Sequence, residues 1–138
     1  MNRTSAARDR ATETPQKPRT APHNQTLGAR GEALAATYLE AQGFHILDRN
    51  WHSGHGEIDL VALDEGVLVA VEVKTRSGTG YGSPLTAITA RKTARLGRLL
   101  LDWARTHDVR NMGLRIDAIG ITLRAAAAAQ IDHIRGIS

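Results

Sequence analysis

A chain of 138 residues, 41% hydrophobic and 23% charged, is long enough for one domain with a real core and has the composition of an ordinary soluble globular protein. No apolar run approaches the roughly 20 residues that span a bilayer, and the absence of cysteine excludes a disulfide framework and any thiolate zinc site. The net charge of +4 invites a nucleic-acid reading, and the expected setting is cytoplasmic.

Most of the positive excess precedes the expected domain. Residues 1–26 carry Arg3, Arg8, Arg10, Lys17 and Arg19 against Asp9 and Glu13, a net of +3. Rich in Thr, Ala and Pro and without apolar periodicity, they read as a disordered basic tail that either strengthens nucleic-acid binding or solubilises the chain. Asp9, Glu13 and the missing apolar stripe argue against a transit peptide. The folded domain is expected over 27–138.

Leu27 to Gln42 has apolar or small residues at 27, 31, 34, 35 and 38, the spacing of an amphipathic helix, with Gly43 at its end. Glu32 falls at the border of that stripe, where it either reaches a site or is solvated. Phe44 to Trp51 reads as a strand, followed by a turn over His52–Gly56. In that turn His52 and His55 are better taken as loop residues than as a metal pair.

Residues 57–63 and 67–75 read as a β-hairpin about a two-residue Glu65-Gly66 turn. That turn sets Asp59 opposite Glu72 and Glu57 opposite Lys74, with Cβ atoms about 5 Å apart. Two bare carboxylates at that distance repel by roughly 3 kcal/mol at an effective dielectric near 20, so a cation or proton belongs between them. Glu57, Asp59 and Glu72 against Lys74 leave a net −2, which suits one divalent metal, and hard oxygens without thiolate favour Mg²⁺ or Mn²⁺. The alternative is a surface lattice of ion pairs, Glu57 with Lys74 and an arginine bridging Asp59 and Glu72.

The glycines of Ser77–Gly82 permit close backbone approach to a ligand but match no nucleotide fingerprint. Ser83 and Pro84 read as the start of a helix running to about Thr106, with Leu85, Ile88, Leu96, Leu99 and Trp103 on one stripe. Lys92 lies near the centre of that stripe and must snorkel, pair with an acid or face a site. Arg91, Arg95, Arg98 and Arg105 form a basic flank, either phosphate-contacting or solvated. Lys92, Arg76, Tyr81 and Arg95 are the candidate nucleic-acid contacts. Leu114–Leu123 reads as a strand carrying Arg115 and Asp117. The alanines at 125–129 fit a connection before a last strand, Ile131–Ile134.

The order of helix with Glu32, strand, Glu57-Ile58-Asp59, Glu72-Val73-Lys74, helix and strand resembles the core of the PD-(D/E)XK nuclease superfamily. The run Gly28, Gly31-Glu32, Arg49-Asn50-Trp51, Gly56–Leu60 and Val71–Arg76, with Tyr81-Gly82 and Arg115-Ile116-Asp117, is similar more narrowly to the uncharacterised bacterial YraN-type family. The resemblance implies an α/β fold, a mixed central β-sheet flanked by helices with a restriction-endonuclease-like core, as in Holliday-junction resolvases. It implies Asp59, Glu72, the Val73 carbonyl and Glu32 as metal-site residues for Mg²⁺ or Mn²⁺. Lys74 would orient the attacking water. Ile58 stands where the superfamily pattern has proline. The expected function is Mg²⁺-dependent phosphodiester hydrolysis in DNA, branched or structured DNA included, with a homodimer or an unidentified protein partner as expected assemblies. The alternative is a non-catalytic nucleic-acid-binding or DNA-repair accessory module that retains the fold.

Overall fold

The computed structural model describes residues 26–78 and 82–137. The 1–26 tail, apart from Thr26, and Tyr81 therefore lie outside the described residues. In chain order the elements are α1 (Leu27–Ala41), β1 (His45–Ser53), β2 (Gly56–Asp64), β3 (Val67–Ser77), a 3-10 turn (Pro84–Ala87), α2 (Ala90–Thr106), β4 (Gly113–Leu123) and β5 (Gln130–Ile134). The strands form one mixed sheet in the order β1-β2-β3-β4-β5, parallel only between β3 and β4 and antiparallel elsewhere. The expected mixed central sheet with flanking helices is present.

Local chemistry sets the boundaries. The Thr26 hydroxyl caps α1 by accepting from the Ala29 N–H at 3.1 Å. At the other end Gly43, with φ 97°, donates to the Glu40 carbonyl while Phe44 donates to that of Leu39, the paired bonds of a Schellman ending. Glu65 (φ 48°) and Gly66 (φ 83°) both take left-handed backbone, which matches a type I′ turn and fixes the β2–β3 register. The pairs Asp64–Val67 through Leu60–Val71 follow the expected register.

Each helix covers one face of the sheet. Ala35, Ala36 and Leu39 of α1 pack on Val69, Val71, Val73, Ile119 and Ile121. Leu96, Leu99, Leu100 and Trp103 of α2 pack on Leu68, Ala70 and Val61 from the other side. Alternation along β3 therefore turns Glu72 and Lys74 toward α2's face.

The structure corrects the single helix expected over Pro84–Thr106. Ile88 (ψ 120°) and Thr89 (ψ 162°) are extended, and the Thr89 hydroxyl starts α2 by accepting from the Lys92 N–H at 3.1 Å. Ser83 caps the separate 3-10 turn, whose Pro84 and Leu85 sit over Gly120. A Cβ on Gly120 would lie 3.1 Å from Leu85 Cγ. The first strand also continues to Ser53, which shortens the expected His52–Gly56 turn. The alanines at 125–129 form a connection, and Ala126 takes φ 56°.

Asp117, fully buried on β4, organises the far half of the sheet. Arg115 Nε donates to it at 2.8 Å, the Gly136 N–H at 3.0 Å, and His133 Nε2 lies 3.0 Å away. A carboxylate only accepts, so His133 Nε2 donates to it, while Nδ1 lies 3.1 Å from the Tyr38 hydroxyl. Burial pushes the Asp117 carboxyl upward, but the bonds from His133, Arg115 and Gly136 outweigh it and hold the group at about 2, below the ordinary 3.8. A depressed folded-state value gives stability that is complete above the unfolded value and is lost as pH falls through the folded one. Urea midpoints should therefore drop between about pH 4 and pH 2 by the equivalent of about 2 kcal/mol. Asp117→Asn should flatten that part of the profile, and an unchanged profile would contradict the assignment.

Candidate metal and phosphate site

The antiparallel ladder between β2 and β3 ends at Leu60–Val71, one pair short of Asp59 and Glu72. Side-chain alternation breaks at the same place: Ile58 and Val61 both pack on the α2 side, with Leu60 on the α1 side between them. Across β1, Arg49 pairs with Leu60 and Trp51 with Ile58, and the Asn50 between them takes φ 50°. In place of a backbone pair, Asp59 Oδ2 accepts the Val73 N–H at 2.8 Å. Asp59 and Glu72 are 8% and 7% exposed, so both carboxylates sit almost out of water at the edge of the β2–β3 fork.

Two ammonium groups hold one of these acids. Lys74 Nζ and Lys92 Nζ each lie 3.3 Å from the same Glu72 Oε2, Lys74 from two residues along β3 and Lys92 from the first turn of α2. Lys92 thus both faces the site and pairs with an acid, two of the options its place on the apolar stripe left open. The cavity here has a volume of about 310 Å³ and is lined by Glu57, Asp59, Glu72, Val73, Lys74, Lys92 and Arg95, among others.

Asp59 has no lysine or arginine hydrogen-bonded to it among the described residues. Its carboxyl is raised to about 7, first by burial, which outweighs the Val73 N–H, and then by the nearby Glu72, Glu32 and Glu57. Glu32 is raised as well, first by burial and then by Glu57 and Glu72, with a bond to Asn50 acting the other way. Four acids therefore share one field. Among the described residues no set of three or more His, Asp or Glu side chains converges as a ready-made metal cage. Two carboxylates nevertheless suffice for Mg²⁺, which keeps several waters and takes phosphate oxygens for the rest of its shell. A buried acid pair with one member uncompensated fits such an ion.

Several expected placements change. Glu57 does not face Lys74; it pairs with His52 across β1, 3.4 Å apart, because the β2–β3 strands have already separated. The alternative lattice is also not formed, since lysines rather than a bridging arginine engage Glu72. Glu32 lines a neighbouring cavity of about 220 Å³ with Arg49, Asn50 and Leu60, because α1 lies on the opposite face of the sheet from Glu72 and Lys74. Arg76 lines a different cavity with Thr122, Arg124 and Asp132, and its guanidinium donates to the Gly82 carbonyl. Arg95 does join the acids.

Residues 31–121 match the family model described as Uncharacterised protein family UPF0102. The chain is 48% identical over 111 residues to the UPF0102 protein of Arthrobacter sp. (strain FB24), covering 80% of this chain and 94% of that protein. The UPF0102 protein of Leifsonia xyli subsp. xyli (strain CTCB07) is 49% identical over the same shares of the two chains. Among solved structures, a 1.6 Å structure of Archaeoglobus fulgidus Hjc, a Holliday junction resolvase, is 21% identical. It covers 74% of this chain and 72% of that one, with a TM-score of 0.37.

Proposed function

The chain belongs to the UPF0102 family, and for it we propose Mg²⁺- or Mn²⁺-dependent hydrolysis of phosphodiester bonds in DNA, branched or otherwise structured DNA included. The observation that carries this reading is the buried Asp59–Glu72 pair with two lysines on one Glu72 oxygen in an open cavity. Asp59, Glu72 and the Val73 carbonyl would hold the divalent ion, with Glu32 contributing from the other face. When bound, that ion supplies Lewis-acid activation of water and charge relief at the phosphate.

The chain's own groups do the rest. Lys74 orients the attacking water and donates to the phosphate as negative charge develops on it, while Lys92 holds the Glu72 carboxylate in place at the cavity. The water oxygen forms the new bond to phosphorus and loses its proton to solvent, while the bond from phosphorus to the leaving sugar oxygen breaks and that oxygen takes a proton from solvent. Lys92 and Arg95 also offset the repulsion that four acids would exert on an incoming phosphate.

One observation favours the accessory-module reading instead: Glu72 is already neutralised by two lysines, an arrangement a non-catalytic binder could keep for stability. Lys74→Ala separates the two. The hydrolytic reading predicts cleavage of labelled DNA in Mg²⁺ that falls by about 10²-fold or more in the variant, the size typical of losing one charge-stabilising donor. The accessory reading predicts no cleavage by the unmodified protein with either ion. A two-fold homodimer and a cytoplasmic setting belong to the same proposal. Among the described residues no helix is long and apolar enough to cross a membrane.

A further inference from the structure

A second concavity, about 430 Å³, lies along the exposed side of α2 and is lined by Arg95, Arg98, Asp102 and Arg105 together with Leu99 and Leu101. His55, from the β1–β2 turn, also lines it. Arg95 lines this groove and the acid cavity alike, so the two adjoin at that residue. Resting on the nucleic-acid reading above, we propose that this groove is a backbone-binding track for the DNA flanking the reacting phosphate.

Three features distinguish it from an ordinary solvated arginine face. The arginines line a concavity shared with His55 of the β1–β2 turn, whereas a helix face that only needs water requires no second element beside it. Arg105 is paired with Asp102 at 3.1 Å, but among the described residues no ion pair reaches Arg95 or Arg98. Two exposed arginines outside any ion pair raise the local positive potential, which a polyanion relieves. Apolar surface also stands beside the cations: Leu101, 42% exposed, lines the same concavity, a combination that suits deoxyribose next to phosphate.

Dimensions agree. Arg95 to Arg105 spans ten residues of helix, about 15 Å, and each DNA strand presents a phosphate about every 3.4 Å of its axis. A strand running along α2 would therefore bring several phosphates past the groove. The acid cavity repels phosphate, so cations just outside it are where a nucleic acid gains the affinity to approach.

The test is the salt dependence of binding to a labelled DNA duplex in chelator, where cleavage plays no part. Arg98→Gln should lower the slope of log K against log salt by about 1, and Arg95→Gln with Arg98→Gln by about 2. Arg110→Gln, an exposed arginine paired with Asp108 outside the groove, should leave the slope unchanged. Both arginines are exposed, so the variants should keep the unmodified melting midpoint. An Arg98→Gln slope equal to that of Arg110→Gln overturns the groove, as does an absence of salt-sensitive DNA binding by the unmodified protein. A protein that shows the expected slopes yet never cleaves DNA overturns the hydrolytic reading and leaves the groove standing.

Discussion

Asp59→Asn should make the protein more stable and inactive at once. The Asp59 carboxyl is raised to about 7, first by burial and then by Glu72, Glu32 and Glu57. A raised folded-state acid takes up its proton more readily than the unfolded chain, so stability is lost as pH climbs from the unfolded value of about 4 to the folded one. Above pH 7 the folded protein carries a nearly dry carboxylate among acids, and an asparagine of the same shape does not. Asparagine can still accept the Val73 N–H through its carbonyl oxygen. The gain in unfolding free energy at pH 8 should be on the order of 2 kcal/mol, read as a higher urea midpoint with an unchanged slope. Cleavage should fall by about 10³-fold or more, because the variant removes a carboxylate from the proposed ion-holding pair. Such a trade of stability for activity is the signature of a functional site. A structural ion-pair member would behave oppositely and lose stability when neutralised.

Gly31→Ala should damage the fold more than any other single methyl in α1. A Cβ at Gly31 would overlap Thr75 Oγ1 and lie 2.7 Å from Thr75 Cβ and 2.8 Å from Thr75 Cγ2. Rotating Thr75 does not relieve the contact with its Cβ, so α1 must lift from β3. Gly31 is buried and the sheet beneath it is close-packed, which sets the cost at about 3 kcal/mol, the upper range for overpacking. For a domain of this size that lowers the melting midpoint by more than about 10 °C. Thr75→Gly removes all three obstructing atoms, so the double variant should recover part of the loss. Additive losses in the double variant would contradict the contact. The same lift would carry Glu32, the next residue on α1, away from the shared acidic field.

The β2–β3 hairpin was legible because Glu65-Gly66 is bounded by apolar runs and both residues accept left-handed backbone, so register followed from turn length. The last step did not follow. Extending the ladder to Asp59–Glu72 and Glu57–Lys74 assumes a regular strand, whereas alternation breaks at Asp59 and its carboxylate takes the Val73 N–H. Lys92 was visible as a lysine on an apolar stripe, but its partner Glu72 sits on the strand beneath it, and helical periodicity carries no such information. The break at Ile88-Thr89 was hidden because Leu85 and Ile88 keep helical spacing with the residues after them. A threonine reads as helix interior until its hydroxyl is seen capping the Lys92 N–H. Gly31 looked like one more small residue on the α1 stripe; only the distance to Thr75 gives it a reason. Asp117 was legible as an acid on a strand, but its partners His133 and Gly136 arrive from the far end of the chain.

The most direct measurement is cleavage of labelled single-stranded, duplex, flapped and four-way-junction DNA in Mg²⁺ or Mn²⁺ by the unmodified protein and by Glu72→Ala. Cleavage of at least one substrate that disappears in Glu72→Ala and in chelator is the predicted result, and the preferred substrate would identify the geometry the site accepts. Cleavage that persists in Glu72→Ala, or binding without cleavage on every substrate, would contradict a metal-dependent hydrolytic site at Asp59 and Glu72.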